Sequence, residues 1–272
     1  MNRLKPDRQK LVLDLLCEGN SIRSIVRLTG VNLRTIIRLV RECGELCEEE
    51  LDLRMRNLNC KLLQADEIHT ICGKKERHVE PKDKGGEFGE MYLFFCLDPV
   101  SKIVPCFRVG KRTGDNAYYL IHDLKQRIKG RFQLTTDGFF GYDNCMTLDF
   151  MRRVDYAQVI KVFKSKRNGS RETYSPGRYV WLKKSIMCGN PDPKHISTSL
   201  IENVNLQIRH GMRRFTRLTI AFSRKYDCLK ASTAIYFYHY NFMRTHGTLR
   251  TTPAMAAGIT KTFLTWDDVL PR

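Results

Sequence analysis

The stretch Cys60-Lys61-Leu62-Leu63-Gln64-Ala65-Asp66-Glu67-Ile68-His69-Thr70-Ile71 is an apolar, strand-compatible run with two carboxylates in its middle. An unpartnered charge in such a run is costly to bury. Metal ligation is the reading that gives Asp66 a partner. Strand alternation sends Asp66 and Glu67 to opposite faces. Asp66 is therefore the first choice of ligand, and Glu67 is the alternative, placed to bond a neighbouring backbone group or cation.

Working outward, a Gly/Lys-rich loop over 73–89 leads to an apolar strand at 91–97. Asp98-Pro99-Val100-Ser101-Lys102 is a turn, and 103–109 returns as the second arm of a hairpin. Residues 116–129 have helical period through Ala117, Leu120, Ile121, Leu124 and Ile128, and Gly130 stops them. A short strand at 131–136 delivers Asp137, and 138–142 turns. A helix over 144–154 and a strand over 156–163 follow. Residues 164–194 are rich in Lys, Arg, Gly, Ser and Pro, and two helices come next, over 198–216 and 224–244. Three strands, helix, strand, helix, strand, then helices is a ribonuclease-H-like order. It predicts an α/β domain with a mixed five-stranded sheet and flanking helices.

That order brings together three acids distant in the chain: Asp66 in the first strand, Asp137 at the end of the fourth and Glu202 on a later helix. Carboxylates supply charge and oxygen together, which suits hard cations such as Mg²⁺ or Mn²⁺. Two ions held roughly 3.5–4 Å apart serve in-line displacement at phosphorus. Asp137 beside Gly138 could equally open a turn. The Glu202 helix carries an apolar stripe at Ile201, Val204, Ile208, Met212 and Phe215, with Glu202, Asn205, Arg209 and Arg213 in a narrow arc beside it. A carboxylate with arginines behind it suits a metal ligand next to a phosphate track. The seven histidines show no metal-ligand or nucleophile–base spacing, and no Gly-rich phosphate loop is present.

Ahead of this domain, 7–43 predicts three short helices. Ser21 caps the second, Thr29-Gly30-Val31 turns, and Asn32 caps a third over 33–42. Ile22, Ile25, Val31, Ile36 and Val40 fill their shared core, leaving Arg23, Arg27, Asn32, Arg34, Thr35, Arg38 and Arg41 on the surface. This is a helix-turn-helix pattern whose third helix suits the major groove of double-stranded DNA, although a dimerising helical bundle has the same pattern. The expected division is a helix-turn-helix domain at 1–44, an acidic linker at 45–59, and the catalytic domain with basic C-terminal helices at 60–272.

Charge supports a polyanionic partner. The chain of 272 residues carries 47 Lys+Arg against 29 Asp+Glu, a net +18. Residues 150–233 hold 18 of those bases and only 5 acids, so the excess is concentrated rather than spread. The apolar runs are too short to span a bilayer, and no signal peptide or lipid anchor is evident. Ten cysteines without C-x-x-C spacing point to buried free thiols in a reduced compartment.

Three blocks resemble the catalytic blocks of DDE transposases: Gln64-Ala65-Asp66-Glu67, Thr136-Asp137-Gly138-Phe139-Phe140-Gly141-Tyr142 and Leu200-Ile201-Glu202-Asn203-Val204-Asn205. More narrowly, Asn205-Leu206-Gln207-Ile208-Arg209, the run from Arg213 to Lys225, and Asn241-Phe242, Arg244, His246, Thr248-Leu249-Arg250 and Thr252-Pro253-Ala254-Met255 are similar to the insertion-sequence-one family. The resemblance implies that Asp66, Asp137 and Glu202 bind the metals. It also implies action on the terminal inverted repeats of a mobile element and on target DNA, by a homo-oligomer on paired ends in the cytoplasm and nucleoid of a bacterial or archaeal host. Arg209, Arg213, Arg214 and Arg217 would then contact DNA. Members of that family often carry a cysteine-rich zinc module ahead of the helix-turn-helix. This sequence begins at the helix-turn-helix, which leaves end recognition to Arg34, Thr35 and Arg38 or to a second polypeptide. The competing expectations are a DNA-binding regulator derived from a transposase, and a ribonuclease-H-like nuclease without strand transfer.

Overall fold

The computed structural model describes residues 3–83, 87–145, 148–164 and 178–271. The N-terminal helices are α1 (Pro6–Cys17), α2 (Ile22–Thr29) and α3 (Leu33–Arg54). Ser21 Oγ accepts from the Ser24 N–H at 3.0 Å, and Asn32 Oδ1 accepts from the Arg34 N–H at 2.9 Å, so both expected caps form. Between them Gly30 takes a left-handed φ of 68°, which ends α2.

α3 does not stop at Glu42. It runs 22 residues, through Glu45, Glu48, Glu49, Glu50 and Asp52. The acidic stretch at 45–59, expected as a solvated linker or helix, is helical through Arg54, with Cys43, Cys47 and Leu51 buried on its inner side. Gly44 is a contact point, not a stop: a Cβ there would collide with the Cβ, Cα and carbonyl oxygen of Ala231. The missing side chain lets α3 lie close against α7 (Tyr226–Tyr238).

Among the described residues the sheet has six strands rather than five, in the order β3-β2-β1-β4-β5-β6. They are β1 (Leu62–Cys72), β2 (Gly89–Leu97), β3 (Phe107–Gly110), β4 (Phe132–Asp137), β5 (Val154–Lys164) and β6 (Arg178–Cys188). β1, β2 and β3 run antiparallel, β4 is parallel to β1, and β5 is parallel to β4. The additional strand, β6, pairs antiparallel with β5 at the edge. It falls within the stretch rich in Lys, Arg, Gly, Ser and Pro, for which the composition predicts no element. Its register leaves Val180, Trp181, Ile186 and Met187 exposed, so no buried face disciplines the pattern.

Helix α4 (Gly114–Arg127) follows β3, the one-turn α5 (Leu148–Met151) precedes β5, and α6 (Ser199–Gly211) follows β6. On one face of the sheet, Phe95 of β2 and Phe107 of β3 pack on Phe237 of α7, with ring centroids 5.7 and 5.0 Å apart. On the other, Phe94 meets Phe139 at 6.3 Å. The turn expected at Asp98 forms, its carboxylate accepting from the Val100 and Ser101 N–H groups at 3.0 and 3.2 Å. After α7 a π-helical turn, His239–Met243, carries buried Asn241, whose amide bonds both the N–H and the C=O of Val104 at 3.0 Å. The chain then passes through α8 (Pro253–Ala256) and returns to α1, where Trp266 Nε1 donates to Asp14 Oδ1 at 2.6 Å. Nine of the ten cysteines are buried and none is bridged. Among the described residues no helix is long and apolar enough to cross a membrane.

Candidate active site

Parallel pairing of β1 with β4 puts Ala65 beside Thr136, so the next residues, Asp66 and Asp137, leave the sheet side by side. Asp137 is the last residue of β4, and its Oδ1 accepts from the Phe139 N–H at 3.0 Å. Glu202 stands in the first turn of α6. The three acids line one cleft of about 410 Å³, together with Arg112, Lys161, Phe139 and Phe140. Glu202 is held away from the other two: Thr198 Oγ1 donates to it at 2.6 Å, and Lys161 Nζ closes an ion pair on it.

Asp66 is fixed from two sides. It accepts from the Glu67 N–H at 2.8 Å and from Asn205 Nδ2 at 2.7 Å. Asn205 lies one turn along α6 from Glu202, so the helix that supplies the third acid also orients the first. Register places Glu67 opposite Phe94 and Asp66 opposite Phe95, on the two faces that alternation requires. Glu67 finds the cation and hydroxyl of the second face, with Arg112 Nε at 2.8 Å and the Tyr142 hydroxyl at 3.3 Å. Its side chain nevertheless reaches the end of the sheet. Oxygens of Asp66, Glu67 and Asp137 all lie within 4.8 Å of one another, a cluster of three carboxylates that excludes Glu202.

Arg112 is the counter-charge of this cluster. Its guanidinium lies over Phe139, 4.3 Å from the ring centre, and 3.9 Å from Asp137 Oδ2 while bonded to Glu67. One guanidinium does not neutralise three acids. Burial, and then the charges of Asp137 and Glu67, push Asp66 up to about 7. Glu67 is also pushed up to about 7, by burial and by Asp137, against the pull of Arg112 and Tyr142. Asp137 is raised chiefly by burial, with Glu202 adding to it and the Phe139 N–H and Arg112 opposing it.

The donor set fits a hard divalent cation. The ligand atoms are all oxygen, the carboxylates are mutually repulsive, and Asn205 Oδ1 is buried with no hydrogen-bond partner beside Asp66. Asp66 and Asp137 would hold such an ion, with Glu67 within reach, and Glu202 would join on releasing Lys161.

The residues expected to meet DNA are dispersed. Arg23, Arg27, Asn32, Arg34, Arg213 and Arg217 are exposed, whereas Thr35, Arg38, Arg41, Arg209 and Arg214 are half-buried. Arg41 is ion-paired with Asp227 at the start of α7, and Arg38 lies 3.8 Å from Glu42. Burial holds Arg214 below the usual guanidinium range, and its carbonyl accepts from Thr70 Oγ1 at 2.7 Å. The helix of Glu202 ends at Gly211, short of the expected 216, where Met212 turns to an extended φ of −120°; Gly211 itself sits where a Cβ would press on Tyr236 and on the Cys17 carbonyl. Arg213 and Arg214 therefore leave the helical arc and sit in a 3-10 turn, Arg213–Phe215. Sequence reasoning missed Arg112 and Lys161. The only signals were a basic pair before the Thr113 cap and a lysine inside an apolar strand.

No family model matches the chain, and no curated protein matches it. Among solved structures it is similar to the Mos1 strand transfer complex, at 13% identity over 57% of this chain and 59% of that one, with a TM-score of 0.25. The piggyBac transposase synaptic complex with hairpin DNA matches at 14% identity over 81% and 53%, TM-score 0.31. A pre-cleavage Mos1 transpososome matches at 12% over 52% and 56%, TM-score 0.19. The chain thus spans between half and three-fifths of the length of the chains it matches. Likenesses this loose fix neither family nor activity.

Proposed function

We propose that the chain is a DNA transposase of the DDE type with a ribonuclease-H-like catalytic core, a polynucleotidyl transferase that cleaves the ends of a mobile element and joins them to target DNA. The observation that carries this reading is the convergence of Asp66, Asp137 and Glu202, from β1, β4 and α6, on one cleft. The core order β3-β2-β1-β4-β5 supports the ribonuclease-H-like part, and the three resembling blocks support the narrower likeness to the insertion-sequence-one family.

Bound Mg²⁺ or Mn²⁺, two ions in this reading, would activate an attacking oxygen and offset charge at phosphorus. The chain's own groups do the rest. Asn205 holds Asp66 in orientation by donating to Oδ2, and the Phe139 N–H does the same for Asp137. Arg112 keeps Glu67 turned toward the second face of the sheet, so that the aspartates are the leading ligands. Lys161, released from Glu202, becomes a cation free to meet a phosphate oxygen at the cleft mouth. Terminal inverted repeats and target duplex are the proposed partners, contacted by Arg34, Thr35 and Arg38 and by Arg209, Arg213 and Arg217, with a homo-oligomer bridging paired ends.

The test is a joining assay with labelled DNA ends of the encoding element, a plasmid target and Mg²⁺ or Mn²⁺. Asp137→Asn and Glu202→Gln should keep end binding and lose cleavage and joining. Unaltered cleavage by both variants would remove the assignment.

A further inference from the structure

α6 borders a second cleft, of about 450 Å³, on a different side from the carboxylates. Asn203 and Gln207, one turn apart on one face of the helix, form one wall. The segment that follows the π-helical turn forms another, with Arg244, Thr245, His246 and Thr248. Asn203 and Gln207 stand roughly a third of a turn round the helix from Glu202 and nearly half a turn from Asn205. The carboxylate cleft and this one are thus separated by about one helix diameter, ~10 Å.

The cleft is built of donors. Among the described residues no carboxylate lines it. The side chains of Arg244, Asn203 and Gln207 make no hydrogen bond or ion pair among the described residues, so a guanidinium and two amides are left to an incoming group. His246 is fixed by its backbone, its N–H donating to the Thr251 carbonyl and its own carbonyl accepting from the Arg250 N–H, both at 2.9 Å. The Thr248 N–H donates to His246 Nδ1 at 3.3 Å, which leaves the hydrogen of the neutral ring on Nε2, a further donor. Burial, Lys102 and Arg244 hold that imidazole below its usual range, as expected where positive potential has no acid to offset it.

We infer that the cleft between α6 and residues 244–248 seats a backbone phosphate of DNA, with Arg244 as its charge-bearing contact and Asn203, Gln207 and His246 as neutral donors. The ligand is a phosphodiester oxygen, since the lining offers charge and polar donors, and its aromatic side chain, Tyr240, is buried with its hydroxyl donating to the Lys102 carbonyl at 3.0 Å, which leaves no open ring face for a base. Because α6 carries both clefts, a strand lying across it would be held at this seat while another phosphate stands at Asp66 and Asp137. The inference rests on the DNA reading of the carboxylate cleft and adds a positioning site to it.

The test measures binding of the full chain to a fluorescein-labelled duplex by anisotropy across a potassium chloride series. Removal of one phosphate contact flattens the plot of log K against log salt by about 0.9, and weakens binding roughly tenfold at about 50 mM salt. Arg244→Gln should do both. Arg244→Lys should keep the wild-type slope because it keeps the charge, and Asn203→Ala with Gln207→Ala should weaken binding at unchanged slope. A wild-type slope and affinity for Arg244→Gln, in a protein that binds duplex steeply, overturns the phosphate seat and leaves the DNA reading standing. No salt-dependent binding by the wild type overturns both. Binding of inorganic phosphate that Arg244→Gln abolishes, with duplex binding untouched, assigns the cleft to a free anion and also overturns the inference.

Discussion

Replacing Asp66 by asparagine should stabilise the metal-free protein at alkaline pH. The side chain keeps its shape and loses its charge, and the charge is the source of cost. Burial and two neighbouring acids raise Asp66 from an ordinary 3.8 to about 7. At about 1.4 kcal/mol for each pKa unit, that rise equals ~4 kcal/mol of instability in the ionised state. Because the folded value lies above the unfolded one, the cost is absent below pH 4, grows as pH rises, and is complete above pH 7. Two hydrogen bonds must survive the change. The substituted amide can still accept from the Glu67 N–H through its oxygen, and a flip of the Asn205 amide would let its unpartnered Oδ1 accept from the new NH₂. Discounting for the part of residue 66 that solvent reaches, the expected gain is roughly 2–3 kcal/mol at pH 8 and near zero at pH 4. In a protein of this size it corresponds to a rise in Tm of about 5–10 °C. Urea unfolding in a chelator at the two pH values measures the difference, and saturating Mg²⁺ should reverse the ranking at pH 8. A destabilised Asp66→Asn at pH 8, or the same difference at both pH values, would refute the reasoning.

Lys161→Met should tighten Mn²⁺ binding roughly threefold by freeing the partly exposed Glu202 carboxylate and removing a competing cation, about 1 kcal/mol or less. Titration calorimetry reads this directly, and weaker binding would mean that Lys161 supports the site instead of masking it. Gly44→Ala should cost about 1–3 kcal/mol by pushing α3 away from Ala231. Its urea midpoint should recover in part with Ala231→Gly added, and a neutral Gly44→Ala would show that the two helices are not in close contact.

The parts of the site legible in the sequence are those governed by local periodicity. Asp66 could be placed because an acid inside an apolar strand has few explanations, and Glu67 could be sent to the other face because the period of a strand is two. The face of α6 was legible for the same kind of reason, and Asn205 was in the expected arc, one turn from Glu202. Other features depend on contacts between distant segments. Residue 211, at the end of α6, must be a glycine because Tyr236 and Cys17 occupy the space a Cβ would need, and nothing near residue 211 announces either neighbour. Gly44 could have stopped a helix by composition, and instead marks where α7 crosses it. Arg112 meets Glu67 across 45 residues of chain, from a loop whose own pattern predicts only a helix cap.

β6 shows a different limit. Its Tyr, Val, Trp, Leu and Ile residues are good strand formers, but Lys183 and Lys184 interrupt them and most of the apolar side chains face solvent. A strand paired on one edge and exposed on both faces satisfies the backbone without imposing alternation on the sequence. Lys183 and Lys184 also discourage a further strand from adding to the open edge. The same pair of strands, β5 and β6, brings Lys161 to the carboxylates. The basic stretch read as a surface for polyanions is therefore in part a wall of the candidate active site, and its lysine holds Glu202 back from the other acids. Asp66, Glu67 and Asp137 already form a cluster that repels itself and would be relieved by a cation. Glu202, the further carboxylate of the cleft, is held off by an ion pair that a phosphate or a metal would have to break. Metal binding at the aspartates and engagement of Glu202 would then be separable steps, and Lys161→Met is the variant that should merge them.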